Sequence, residues 1–134
     1  MSLTDNERKE IVKFRLEKAH EAIAELPVLM DNKFYRTAAN RLYYACYYAA
    51  TALLINDGYE THTHSGVKRL LGLHYIKENR IEKISGKTYD KLFSLRQTGD
   101  YDDCVSIREE NVKIFLEPAE KFIAEIEKLI NNNS

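Results

Sequence analysis

The stretch NRLYYACYYAATALLI, residues 40–55, decides the fold of this chain. Its only formally charged residue is Arg41, and four of the six positions from Tyr43 to Tyr48 are tyrosines. A helix that is apolar around its whole circumference must be covered on most sides. The run is also too short for a membrane span, which needs about 20 apolar residues. The sequence therefore predicts a central helix with one face that the rest of this chain leaves uncovered.

The composition is that of an ordinary globular protein. The chain has 134 residues, 44% of them hydrophobic, which predicts a single domain over residues 1–134 with a disordered tail at 131–134. Its 20 basic and 21 acidic residues give a net charge of −1, so any polyanion site must be a local patch. The polar N-terminus and the two cysteines predict a cytoplasmic protein without a disulfide framework and without a membrane segment.

Few glycines and prolines and long helical periods predict an all-α fold, an up-and-down bundle of four to five helices. The first helix is expected to open with a capping box of Thr4 and Glu7 and to end just before Pro27. The second is expected to start at an Asp31 N-cap and to end at Gly58.

Three more helices follow in the predicted order. The third begins at His64, and the fourth runs from about Lys87 to Gly99 before an acidic turn. The fifth opens with the capping box Ser106–Glu109 and continues to about residue 130, with a kink at Pro118 because the apolar period runs straight through that residue.

The second helix carries the first candidate site. At 100° per residue, Arg41, Tyr44 and Tyr48 lie on one strip. Tyrosine rings can stack on bases and arginines can contact phosphates, so the strip suits a nucleotide or an RNA segment. The alternative is that the same tyrosines pack in the core or in a dimer interface.

Arg96 is the second candidate, because it extends the otherwise apolar stripe of the fourth helix. Asp100, one turn later, and Tyr101 are its nearest predicted partners. The arginine is either a structural ion-pair residue or an anion-binding or catalytic residue in a groove.

The histidines do not form a metal-binding pattern. His62 and His64 fall in a loop and at a helix start, and His74 is assigned to the core stripe of the third helix. Glu17 and His20 form a single Glu-x-x-His pair, whereas a di-iron bundle needs two. No metal and no cofactor is predicted.

Three segments in order, RTAANRLYYACYYAATALLI (36–55), HSGVKRLL (64–71) and LFSLRQTGDYDD (92–103), resemble the HEPN domain over about residues 31–130. The resemblance implies a helical bundle that usually dimerises. The family includes toxin ribonucleases, RNA-binding modules and partners of minimal nucleotidyltransferases. Arg96 matches the arginine of the family's Arg-x(4–6)-His ribonuclease motif, but no histidine occurs among residues 97–104.

The resulting hypothesis is a homodimeric HEPN-like module that binds RNA or nucleotide, or regulates a nucleotidyltransferase partner. Its predicted ligand-binding residues are Arg41, Tyr44, Tyr48, Arg96 and His64. The alternative is a toxin endoribonuclease with a non-standard acid or base. Its catalytic candidates are Arg96, Asp100 and Tyr101. The motif without its histidine leaves both an enzyme and a binding module as interpretations, and a third interpretation makes the tyrosine strip a dimer interface.

Overall fold

Five α-helices make up the computed structural model, which describes residues 3–101 and 106–132, without the side chains of residues 99–101. The helices are α1 (Asp5–Asp31), α2 (Tyr35–Asn56), α3 (His64–Leu71), α4 (Lys83–Tyr101) and α5 (Glu109–Asn132). No strand occurs in the described ranges, which confirms the predicted all-α bundle. None of the helices described is both long and apolar enough to cross a membrane.

Helix α2 is the centre of the bundle and packs against each of the other four helices. Its alanines at positions 38, 45, 49 and 52 are fully buried. Small side chains let α1 and α5 approach the backbone of α2 closely, and a buried row of leucines, Leu42, Leu53 and Leu54, fills the remaining core. The covered helix that the sequence predicted is therefore present, and α1 contributes most of its cover.

The turn between α1 and α2 differs from the prediction. The capping box of Thr4 and Glu7 is present, but α1 continues through Pro27 to Asp31, so Asp31 ends one helix and does not cap the next. Lys33 lies in the left-handed region at φ 61°, and the bonds Lys33 N–H to the carbonyl of Met30 and Phe34 N–H to that of Leu29 close a Schellman motif. This reversal satisfies the last carbonyls of α1.

Helix α2 ends where the sequence predicted. Gly58 has φ 86°, and its N–H donates to the carbonyl of Ile55 while Tyr59 N–H donates to that of Leu54. The ending is the same Schellman motif as in α1, here with the glycine that usually occupies the left-handed position.

Helix α3 begins at His64 as predicted, with the Thr63 side chain accepting from Gly66 N–H. Residues 72–76 then form a π-helical turn. The wider turn buries Tyr75, whose hydroxyl donates to Asp57, and leaves His74 half-buried against Tyr59. The core placement predicted for His74 is therefore wrong.

The ends of the last two helices differ from the predicted ends. Helix α4 begins at Lys83, four residues before the predicted start, and runs through Gly99 to Tyr101, so the predicted break at Gly99 is wrong. Helix α5 begins at Glu109, and the Arg108 N–H donates to the side chain of Asn111 in place of the expected Ser106–Glu109 capping box. The helix is continuous through Pro118 and extends to residue 132.

Candidate functional site

Helices α2, α3 and α4 bring three half-buried tyrosines, a histidine and an arginine together at one surface. We call this group the tyrosine–arginine site, and it consists of Tyr44, Tyr47, Tyr48, His64 and Arg96. The three tyrosines share a face because α2 places positions three and four apart side by side. Neighbouring rings lie 5.8 to 6.1 Å apart between centroids.

Tyr43 packs against the tyrosine–arginine site from the core. Its side chain is fully buried, and its ring contacts Tyr44, Tyr47, Tyr89 and Phe93. Burial raises the pKa of the Tyr43 hydroxyl to about 12, against the opposing effects of the nearby Tyr89 hydroxyl and of Arg96. The hydroxyl is therefore protonated at neutral pH.

His64 joins the site from the first residue of α3. Its ring stacks on Tyr47 at 4.3 Å between centroids, and its Nδ1 shares a hydrogen bond of 2.7 Å with the Tyr43 hydroxyl. Burial, and then the positive charge of Arg96, lower the pKa of His64 below its ordinary value of 6.5. The neutral form of the imidazole is therefore favoured at pH 7.

The neutral imidazole can act in two ways, because the hydrogen bond with Tyr43 fits either tautomer. When the Tyr43 hydroxyl donates to Nδ1, the other ring nitrogen carries its proton and can donate to a phosphate oxygen. When Nδ1–H of His64 donates to the hydroxyl oxygen, Nε2 is unprotonated and can accept a proton from a substrate. The first arrangement binds anions, and the second can serve as a general base.

Arg96 projects from α4 over the same rings. Its Nη2 donates to the Tyr44 hydroxyl at 3.3 Å, and its guanidinium carbon lies 5.6 and 5.7 Å from the ring centroids of Tyr44 and Tyr43. Cation–π contacts within about 6 Å attract a guanidinium to the faces of aromatic rings. The structure thus places a positive charge beside His64, although 32 positions separate the two residues in the chain.

Helix α1 adds a basic rim that the sequence analysis did not assign to the site. Lys18 Nζ lies 5.4 Å from the ring centroid of Tyr48 and 5.2 Å from that of Phe14, which is 57% exposed. Arg15 donates to the Thr51 hydroxyl at 3.1 Å. The Arg15 charge also opposes the rise that burial causes in the pKa of Tyr47. Phe14, Arg15 and Lys18 are exposed or half-buried residues of an amphipathic helix, so their spacing alone could not distinguish them from solvated side chains.

The remaining predicted site residues fall into two groups. Arg41 turns toward α1, where its Nε lies 3.2 Å from a carboxylate oxygen of Glu25. Its predicted phosphate contact stays a prediction. The side chains of Asp100 and Tyr101 lie outside the described residues. Tyr47 belongs to the site but was missing from the predicted ligand-binding residues.

Two of the other histidines, His20 and His74, contact residues outside the site. His20 pairs with Glu127 at 3.0 Å, and His74 stacks on Tyr59 at 4.4 Å between centroids. In the part of the chain that the structure describes, no group of three or more histidine, cysteine, aspartate or glutamate side chains is placed to hold a metal ion.

Three known proteins are similar in sequence to this chain over most of their length. The "UPF0332 protein" of Thermotoga maritima is 37% identical over 127 residues, covering 95% of this chain and 96% of that protein. "Putative toxin MJ0605" of Methanocaldococcus jannaschii is 33% identical over 129 residues, 96% of each chain. "Putative toxin MJ0142" of the same organism is 29% identical over 119 residues, 88% of this chain and 81% of that protein.

The sequence model of the HEPN domain matches residues 12–129, which include α2, α3 and α4 entirely and most of α1 and α5. The resemblance inferred from the three sequence segments is therefore confirmed. This chain belongs to the HEPN domain family.

Proposed function

We propose that this HEPN protein binds single-stranded RNA through the tyrosine–arginine site. The observation that carries the proposal is the contact between a half-buried arginine, a neutral histidine and three half-buried tyrosines on one surface. Tyrosine faces suit unpaired bases, and each stacked base contributes about 1–3 kcal/mol. Arg96 and the rim cations Arg15 and Lys18 supply positive charge for the phosphates.

Binding is tested by fluorescence anisotropy with a short 2′-O-methyl RNA, which cannot be cleaved by attack of its own 2′ oxygen. Arg96→Ala is expected to weaken binding about tenfold, equivalent to about 1.4 kcal/mol. Arg108→Ala is the matched control, because it removes an exposed arginine that is not part of the site. Equal affinity of the two variants would contradict the proposal.

Tyr48 separates stacking from hydrogen bonding in the same assay. Tyr48→Phe keeps the ring and should bind like the native protein, whereas Tyr48→Ala should lose the affinity that one stacked base contributes. A loss of equal size in both variants would argue against base stacking at this position.

A second candidate function is that of a toxin-type endoribonuclease, and the proximity of His64 to Arg96 favours it. In the tautomer with a free Nε2, His64 would take the proton of a 2′-hydroxyl that attacks the adjacent phosphate. The P–O5′ bond would break as the cyclic phosphate forms, and the leaving 5′ oxygen would take a proton from water. Arg96 would stabilise the negative charge that develops on that phosphate. The two M. jannaschii relatives named as toxins also support this candidate.

The cleavage test uses total RNA incubated with the protein in the presence and absence of a chelator. Under the ribonuclease hypothesis, His64→Ala and Arg96→Ala abolish cleavage, the chelator has no effect, and the products carry 2′,3′-cyclic phosphates. His74→Ala is the matched control, since His74 stacks on Tyr59 and is not part of the tyrosine–arginine site. Cleavage that persists in His64→Ala would exclude His64 as the base.

We also propose a homodimer and retain a nucleotidyltransferase as a partner of the protein, both as implied by the family. A dimer could instead use the tyrosine strip as its interface. The double variant Arg41→Ala/Arg96→Ala, followed by light scattering, distinguishes these arrangements. A dimer that persists while RNA binding is lost supports the binding site, and a dimer that dissociates supports the interface.

A further inference from the structure

A second surface feature, separate from the tyrosine–arginine site, concentrates positive charge. It is a groove of about 670 Å3 between α3 with its π-helical turn and the first half of α4. Five cationic side chains and a single carboxylate, Asp90, line it. The cations are Lys68, Arg69, Lys77, Lys83 and Lys87.

These cations are not neutralised by neighbouring acids. Among the residues that the structure describes, none of the five lies within ion-pair distance of a carboxylate. Cations outside the groove do form such pairs, for example Lys121 with Glu82 at 3.0 Å and Arg80 with Asp57 at 3.5 Å. Because the whole chain has a net charge of −1, this excess of positive charge is local. A local cationic groove attracts polyanions even when the protein as a whole does not.

The floor of the groove suits a backbone rather than bases. Gly86 packs so closely against Ile76 that a Cβ on it would lie 2.5 Å from the Cδ1 of that isoleucine. The one aromatic residue among the lining residues, Tyr89, is 1% exposed, so it offers no ring face for stacking. Long lysine side chains around such a floor contact phosphates as point charges.

The groove and the tyrosine–arginine site are both built on α3 and α4. Ser65 lines the groove and follows His64 directly in the chain. Lys68, another lining residue, holds its Nζ 5.1 Å from the ring centroid of Phe93, which packs on Tyr43. The groove and the site are therefore linked through α3 and through Phe93.

We propose that this groove is a second, phosphate-binding segment of the RNA site, which holds the backbone of a strand whose bases stack at the tyrosine–arginine site. The inference rests on the proposed RNA binding and deepens it, because it predicts that affinity grows with strand length. Recognition in the groove is independent of base identity, since its ligands are lysines and an arginine that face phosphates.

The test compares 2′-O-methyl RNAs of about four and about twelve nucleotides, a short and a long strand within the range of site sizes of single-strand-binding proteins. The test variant removes three groove lysines, Lys77→Ala/Lys83→Ala/Lys87→Ala. A matched control removes three exposed lysines elsewhere, Lys9→Ala/Lys113→Ala/Lys128→Ala, with the same change in net charge. Both are measured at several salt concentrations.

For the long RNA, the groove variant is expected to lose affinity while the control variant does not. Each phosphate contact to a single strand contributes about 0.7 to the salt slope, so the slope should fall by about 2 and the affinity by up to about 100-fold at 0.1 M salt. Affinity for the short RNA should be unchanged in the groove variant and reduced in Arg96→Ala.

The failures can be told apart. If the groove variant binds long RNA as the control variant does, the groove inference is overturned, while the tyrosine–arginine site stands on its short-RNA result. If short RNA binds without regard to Arg96 but long RNA needs the groove lysines, the proposed function fails and the groove stands as a polyanion site. Absence of binding to either RNA overturns both.

Discussion

Replacing Tyr43 with phenylalanine should reveal how strongly the protein holds His64 in the site. The substitution keeps a fully buried ring in place and removes one hydroxyl, which shares a 2.7 Å hydrogen bond with His64 Nδ1. A neutral hydrogen bond of this kind contributes about 0.5–1.5 kcal/mol to stability. Because the His64 ring is half-buried, water can reach the nitrogen that loses its partner, and we expect a loss of about 1 kcal/mol.

The loss can be measured by thermal and urea unfolding. With an unfolding entropy of about 2.1 cal/mol/K for each of 134 residues, 1 kcal/mol lowers Tm by about 4 °C. Tyr47→Phe is the control, since no hydrogen bond joins the Tyr47 hydroxyl to another residue that the structure describes, and its effect should stay within about 0.5 kcal/mol.

A double-mutant cycle of Tyr43→Phe and His64→Ala isolates the pair. A coupling energy of about 1 kcal/mol is expected from residues in direct contact. A coupling near zero, or a Tyr43→Phe protein as stable as the native one, would refute the conclusion that this hydrogen bond fixes the imidazole. Nitrogen chemical shifts of the His64 ring would show in the same samples which tautomer is present.

The other predictions concern pH, backbone and thiol chemistry. The pKa of His64 is below 6.5 in the folded protein, so the unfolded chain binds the proton more readily. The free energy of unfolding should therefore fall as the pH drops below 6.5. Urea unfolding at several pH values should show a smaller fall for His64→Gln than for the native protein. In Gly66→Ala the new methyl group would overlap two threonine hydroxyls, so the variant should lose about 1–3 kcal/mol of stability. In Gly72→Ala the methyl group meets open space at a helical φ of −61°, so that variant should gain about 0.5–1 kcal/mol of stability. Cys46 is fully buried, and burial raises the pKa of its thiol. In a Cys104→Ser variant, Cys46 should therefore react with a thiol reagent only as fast as the protein unfolds. Rapid labelling in native buffer would contradict its burial.

The sequence predicts the central helix of this fold better than the helix ends and turns. The alanines and the near absence of charge in residues 40–55 are enough to predict a covered helix. The end of α2 is equally predictable, because Gly58 is the usual residue for a left-handed C′ position. The end of α1 has the same hydrogen-bond pattern, but Lys33 occupies its left-handed position. A lysine does not indicate such a position, so the sequence instead predicted that α1 ends just before Pro27.

Only part of the tyrosine–arginine site could be predicted, because some of its residues carry a local sequence signal and others do not. Arg96, Tyr44 and Tyr48 carry local signals, namely a charge on an apolar stripe and aromatic residues at helical spacing. The relation of His64 to Arg96 is set by how α3 packs between α2 and α4, and local spacing contains no information about that packing. A search for a histidine directly after Arg96 could therefore not find one that another helix supplies.

The π-helical turn after α3 has a consequence for the lengths of related chains. Residues 72–76 accommodate one residue more than an α-helical turn would over the same rise, and they still deliver Tyr75 to Asp57 at the end of α2. A chain with a single-residue deletion before Tyr75 could close the turn into ordinary α-helix and keep the same anchor. Length variation at this point is therefore compatible with an unchanged arrangement of α4, Arg96 and the site.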